Sequence, residues 1–217
     1  MICEASCTAE KSAYVISNAN NMIGIVNYGA GNIFSLTAAL DRIGVAYGMV
    51  DEERDFAHFD RIIIPGVGHA GTAMRKLTES GLVEQISKLE KPVLGICVGM
   101  QLLSAFSEEG DADMLGIMPL RTLHFDGRIS EKVPHMGWNS IFSTGTNTLF
   151  QDVPDGSYFY FVHSYFLEVD VNCSAALCHY GLDFSAAVQK DNFFGVQFHP
   201  EKSGKAGEQV LLNFAKL

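Results

Sequence analysis

The sequence predicts an α/β fold built on an open, mainly parallel sheet with helices on both faces and an antiparallel extension in its C-terminal half. Three observations carry that expectation. Short runs of continuous apolar residues alternate with helix-period segments through the first half, the pattern of strands buried on both sheet faces. After about Leu115 short β-like stretches follow one another without intervening helices. The 217 residues, 47% of them hydrophobic, suffice for one full core.

Met22 to Asn27 reads as the first strand, and Tyr28-Gly29-Ala30-Gly31-Asn32 turns the chain. Ile33, Leu36, Leu40 and Ile43 recur at helical spacing until Gly44 ends the helix. Val45 to Val50 is a second strand and Arg61 to Ile64 a third, stopped by Pro65-Gly66-Val67-Gly68. A helix through Ala73, Met74, Leu77 and Leu82 to about Leu89 precedes a strand begun by Pro92. Then come strand-like stretches at Thr122 to Phe125, Ser157 to Val162, Ser164 to Val169, Ala175 to His179, Ser185 to Gln189 and Phe193 to Phe198, which extend the sheet. Lys205 to Lys216 closes the chain as a helix. Residues 1–21 lack a continuous apolar region and are expected to be an N-terminal extension outside a single domain at 22–217.

The formal net charge of -10 argues against a general nucleic-acid surface. No apolar stretch reaches transmembrane length, so no membrane partner is expected. Five cysteines without CxxC spacing read as a reducing, cytoplasmic chain, and no histidine pattern implies a metal.

Gly95-Ile96-Cys97-Val98-Gly99 follows the apolar run Val93 to Ile96 and precedes Met100-Gln101-Leu102-Leu103. A strand reversing sharply into a helix leaves no room beside its apex residue, which the two glycines provide. Amides at a helix start favour a thiolate at that apex. On these five residues alone, a buried structural cysteine and a nucleophile fit equally well. A nucleophile needs a base, and the base an orienting group. His199-Pro200-Glu201 closes an apolar strand. In extended chain His199 and Glu201 share one side, so Glu201 can fix the imidazole tautomer while the other ring nitrogen faces sulfur. The Val98 amide is the default oxyanion donor of such an elbow. Pro65-Gly66-Val67-Gly68 offers a second amide on a peptide that glycine on both sides leaves free to turn.

Taken together, these residues resemble the triad-type (class I) glutamine amidotransferases. The narrower likeness is to the glutaminase subunits that serve histidine biosynthesis beside an imidazole glycerol phosphate-forming cyclase. It runs in family order from Met22 to the C-terminus, through 25–32, 64–68, 91–103, Pro134-His135-Met136-Gly137-Trp138-Asn139, 159–165 and 197–203. The resemblance implies catalytic Cys97, His199 and Glu201, and an oxyanion hole from Val98 with Val67 or Gly68. It implies L-glutamine held by Gly66, Gln101, Glu109, His163, Ser164 and Tyr165. No cofactor is implied. It also implies a separate (β/α)8-barrel cyclase subunit that receives the ammonia, faced by Asn32, Trp138 and Lys202. As bare sequence, a lone tryptophan such as Trp138 is more often a core residue than a gate. A paralogous glutaminase feeding another synthase, and a silent scaffold protein, are the alternatives. The family more often has Asp at Asn27, Leu at Val98 and an aromatic at Ala70, and none of these departures removes a catalytic group.

Overall fold

The computed structural model describes residues 22–145 and 147–217; the expected extension at 1–21 lies outside them. The chain runs β1 (Ile23–Val26), α1 (Ile33–Arg42), β2 (Tyr47–Val50), β3 (Arg61–Ile64), α2 (Ala70–Glu79), α3 (Val83–Ser87), β4 (Val93–Ile96) and α4 (Val98–Leu102). Short strands β5 (Phe106–Ser107), β6 (Ala112–Asp113), β7 (Arg121–His124), β8 (His135–Ser140) and β9 (Phe142–Ser143) follow. The chain ends with β10 (Tyr158–His163), β11 (Tyr165–Leu167), β12 (Ser174–Tyr180), β13 (Leu182–Lys190), β14 (Phe193–Val196) and α5 (Gly204–Phe214).

The main sheet has the order β2-β1-β3-β4-β14-β13-β11-β7-β5-β6. Its first five strands are mutually parallel, and β1, β4 and β14 are buried along their whole length. Their continuous apolar sequence is what burial on both faces requires. From β13 onward the pairing is mainly antiparallel.

The connection β1-α1-β2 steps one way along the sheet and β3-α2-α3-β4 the other. Right-handed crossovers therefore place α1 and α2 on opposite faces. In agreement, α2 packs on α4, while α1 and α5 pack on the turn after β14. The reversal falls between β1 and β3, a switch point that opens a crevice at the carboxyl ends of the parallel strands.

Local chemistry sets the helix ends. The Asn32 side chain accepts from the Ser35 amide to cap α1, and Gly44 at φ 70° follows its last turn. The single helix expected from Ala73 to Leu89 is two, α2 and α3. Gly81 sits at φ 76° and its amide bonds to Thr78 O, which ends one helix before Val83 begins the next. The stretch Ser157 to Val162 does not extend the main sheet. As β10 it pairs with β8 in a separate two-stranded ribbon. The sequence signal for β8 is weak because Gly137, at φ 129°, and polar neighbours interrupt any alternation.

Candidate active site

Three loops converge at the carboxyl ends of adjacent parallel strands: Pro65 to Gly68 after β3, Cys97 after β4 and His199 after β14. Cys97 sits at φ 54°, ψ -111°, a conformation that costs a non-glycine residue about 1–3 kcal/mol. Two backbone bonds hold it there, from Cys97 N to Val196 O at 2.8 Å and from Met100 N to Cys97 O at 3.0 Å. A Cβ on Gly95 would lie 2.5 Å from Gly99 O, and one on Gly66 would lie 2.5 Å from Gly99 N. Glycine at these positions is therefore a condition of the turn's closure. The helix after Cys97 is only five residues long, and the amides of Met100 and Gln101 in its first turn close on Cys97 O.

His199 Nδ1 lies 2.8 Å from Glu201 Oε1, with both side chains buried. The expected extended geometry is not what joins them. Pro200–Lys202 is a 3₁₀ turn, started by the fixed φ of Pro200, and this turn brings the carboxylate back under the ring. Burial pushes His199 down. The hydrogen bonds and charges of Cys97 and Glu201 outweigh it and raise the imidazole to about 10. The imidazole is thus poised as a cation between sulfur and carboxylate.

A cavity of about 380 Å³ opens in front of the sulfur. It is lined by Val67, Gly68, Cys97, Val98, Gln101, Glu109, His163, Ser164, Tyr165 and His199, together with Pro134 and Val162. The residues singled out in the sequence as nucleophile, base, oxyanion donors and glutamine contacts therefore share one wall, with two exceptions. Glu201 stands behind His199, and Gly66 packs under the elbow against Val98 and Gly99. Both line a smaller cavity with Asn32 and Leu36. Gly68, at φ 88°, has open space around it, whereas Tyr28 anchors the start of this loop by donating its hydroxyl to Pro65 O at 2.7 Å. The loop is thus fixed at Pro65-Gly66 and free at Val67-Gly68. Glu109 accepts from the Ala70 amide at the start of α2, which fixes one carboxylate oxygen at the cavity rim.

His163 belongs to a buried chain that the sequence did not reveal. His163 Nδ1 faces Tyr165 O at 2.7 Å, so it carries the proton and leaves Nε2 as acceptor. His135 Nδ1 lies 2.9 Å from that Nε2, and Asn139 Nδ2 lies 3.3 Å from His135 Nε2. Burial lowers His135 to about 4. Burial, and secondarily the neighbouring His135, lower His163 to about 3. Both rings stay neutral in the folded protein while the unfolded chain takes up protons below the ordinary value near 6.5. The stability they supply is complete above that value and declines as pH falls toward 4. His199, being raised, works in the opposite sense and contributes fully below 6.5. Urea denaturation should show a midpoint that drops from pH 6.5 to pH 4.5. A His135→Asn variant should show a shallower drop; an equal drop would remove the pair as its source.

Trp138, Tyr160 and Lys202 cluster on the outside of the β8–β10 ribbon. Trp138 is 55% exposed, contrary to the common expectation for a lone tryptophan. Its ring stands edge-on to Tyr160 at 6.2 Å, and Lys202 Nζ lies 5.8 Å from the Tyr160 ring centroid. Met136 and Tyr158, on this face by the strand register, are exposed as well. Asn32 lies apart, capping α1 beside the smaller cavity. Among the described residues no group of three or more His, Cys, Asp or Glu could hold a metal ion, and no helix is long and apolar enough to cross a membrane.

The family model for glutamine amidotransferase class-I matches residues 24–216. The chain is 47% identical over 196 residues to imidazole glycerol phosphate synthase subunit HisH of Bacteroides fragilis, covering 90% of this chain and 99% of that protein. It is 42% identical over 212 residues to the corresponding HisH protein of Photobacterium profundum, covering 93% and 100%. Among solved structures, PurLQS from Thermotoga maritima superposes with a TM-score of 0.69 at 18% identity, over 90% of this chain and 98% of that one. A glutamine amidotransferase from Thermotoga maritima gives 0.62 at 15%, over 92% and 84%. At these identities the two structures speak for the fold alone.

Proposed function

Since the chain belongs to the class-I glutamine amidotransferase family, we propose that it is the glutaminase subunit of an imidazole glycerol phosphate synthase in histidine biosynthesis, with Cys97 as nucleophile. Residues 22–217 act as one catalytic unit in the reducing cytoplasm. The observation that carries the assignment is the meeting of Cys97, His199 and the Glu201 carboxylate at one end of the parallel sheet, facing a cavity with room for glutamine.

The Cys97 thiolate attacks the side-chain amide carbon of L-glutamine. The amide oxygen takes up the charge and is held by the Val98 amide and by one from Val67 or Gly68. The His199 imidazolium passes its proton to the departing nitrogen, which leaves as ammonia, and the acyl group remains on sulfur as a thioester. Neutral His199 then takes a proton from water, whose oxygen attacks the thioester carbon. The thiolate leaves and glutamate is released. Glu201 keeps Nδ1 as the donor to carboxylate throughout, so Nε2 is the nitrogen that exchanges protons. Gln101 forms part of the cavity wall against which the substrate packs. Glu109, with Ser164 and Tyr165 beside it, receives the substrate's α-ammonium.

The ammonia is destined for a (β/α)8-barrel cyclase subunit docked on the ribbon face. Trp138, Tyr160, Met136 and Lys202 supply the apolar and cationic surface that protein interfaces favour; Asn32 stands apart from them, beside Glu201 in the smaller cavity. The freedom of the Val67–Gly68 peptide supports a resting state lacking its second oxyanion donor, worth about 10²–10³ in rate, until the partner is loaded.

Mixing the chain with a histidine-pathway cyclase and its phosphorylated substrate should raise glutamine hydrolysis at least tenfold. Trp138→Ala should weaken association by about tenfold or more, read by titration calorimetry. No activation there, with activation by a different synthase, would assign the chain to another acceptor.

A further inference from the structure

Gln197 is fully buried at the end of β14, an amide in an otherwise apolar strand, and the reaction above gives it no part. Its Nε2 lies 3.7 Å from Cys97 Sγ, and its Oε1 accepts from Gln101 Nε2 at 3.1 Å. We propose that Gln197 is a further catalytic residue, a fixed N–H donor to the Cys97 sulfur whose orientation is dictated by the Tyr165 carbonyl.

The orientation follows from counting donors along the chain. Tyr165 O can only accept, and it takes His163 Nδ1 at 2.7 Å and Gln101 Nε2 at 3.1 Å. Gln101 must therefore present nitrogen to it, and the second hydrogen of that nitrogen points to Gln197. Gln197 must answer with oxygen, which leaves its own NH₂ toward sulfur. Turning either amide over would set two donors or two acceptors face to face between buried side chains, a loss too large for a buried group. The cavity wall and the nucleophile are thus one hydrogen-bonded unit, reaching from Tyr165 through Gln101 and Gln197 to Cys97.

The chemical consequence is a division of labour at sulfur. His199 lines the cavity beside Cys97, which raises its imidazole, but it gives its proton away during the reaction, so it cannot hold the sulfur steady throughout. Gln197 exchanges no proton. It holds the thiolate on the line of attack and receives the charge again when sulfur leaves the thioester. The other groups around Cys97 are Tyr28, which is electrostatically coupled to it, Glu201 behind His199, and Glu109 across the cavity. None of these supplies a second fixed donor: Tyr28 spends its hydroxyl on Pro65 O.

This inference rests on Cys97 as the nucleophile of the glutaminase, and two readouts keep the failures apart. Gln197→Met, similar in shape and without a donor, should lower kcat for glutamine in the cyclase complex about tenfold, the worth of one hydrogen bond to a charged group, with KM within twofold. Alkylation of Cys97 by iodoacetamide in the full chain should slow by a similar factor. Alkylation at the wild-type rate in a folded variant overturns the proposal. If Gln197→Met does not fold, ¹⁵N spectra of the wild-type chain decide. The Gln197 side-chain amide should shift on replacing Cys97 by serine or alkylating it, and an unmoved signal overturns the proposal. Failure of the wild-type complex to hydrolyse glutamine would instead overturn the glutaminase reading, whatever the alkylation shows.

Discussion

A Cys97→Ala variant is expected to lose glutamine hydrolysis by a factor on the order of 10⁴–10⁶, as when the nucleophile of a coupled catalytic unit is removed. The methyl group keeps the Cβ and its packing, and the bonds from Cys97 N to Val196 O and from Met100 N to Cys97 O are backbone bonds that survive the change. The elbow at φ 54° should therefore persist, and with it the exposed face around Trp138. Two activities then separate. Glutamine-dependent synthesis by the complex with the cyclase disappears, while synthesis supplied with ammonium salts continues near the wild-type rate. Survival of the glutamine-dependent activity would remove Cys97 from the mechanism. Loss of both activities would point to a broken complex instead, which the association measurement identifies.

A Gly99→Ala variant should be the most destabilising single methyl group near the site. The added Cβ would stand 1.9 Å from Ile64 O and 2.9 Å from Ile64 C. Both are backbone atoms at the end of β3, which is locked between β1 and β4, so no side chain can swing away. Relief requires α4 to lift from the sheet and carry Cys97 with it. Overpacking of this kind costs about 3 kcal/mol or more, and at about 2–4 °C per kcal/mol for a chain of this size the melting temperature should fall by roughly 6–12 °C. Gly68→Ala makes the contrast. Nothing stands within 4 Å of its Cβ, but φ is 88°, so only the left-handed backbone preference opposes it, about 1 kcal/mol. A Gly99→Ala chain melting like the wild type would mean that the elbow and β3 do not approach as closely as described.

Much of the architecture was legible because burial on both faces leaves a plain mark. The apolar runs Ile23–Val26, Arg61–Ile64 and Val93–Ile96 are strands, and Gly44 follows the first helix. The glycines around Cys97 were legible for a related reason: a backbone that passes within contact of another backbone tolerates no side chain. What escaped was what depends on partners distant in sequence. The break at Gly81 divides a segment whose apolar spacing continues through it, since spacing reports which face is buried and not whether the backbone is continuous. The pairing of β10 with β8 instead of the main sheet is a choice between neighbours that alternation along one strand does not encode. Residue type alone does not show the exposure of Trp138, which follows from the outward face of that ribbon.

The candidate site divides along the same line. Cys97 at its elbow and His199-Pro200-Glu201 are local patterns, each dictated by a tight turn, and the sequence alone determined the class of chemistry through them. Only the tertiary structure decided how they meet: a 3₁₀ turn and not an extended chain sets Glu201 against His199, and the adjacency of β4 and β14 sets His199 beside sulfur. It alone also decided that Gln197, a single polar residue in an apolar strand, faces the sulfur, and that His135 and His163 share one hydrogen-bonded chain ending on Tyr165 O. Hydrogen-bond direction in a buried network is set by which acceptors cannot turn round. That property belongs to the assembled fold, because a lone glutamine or histidine in the sequence carries both a donor and an acceptor.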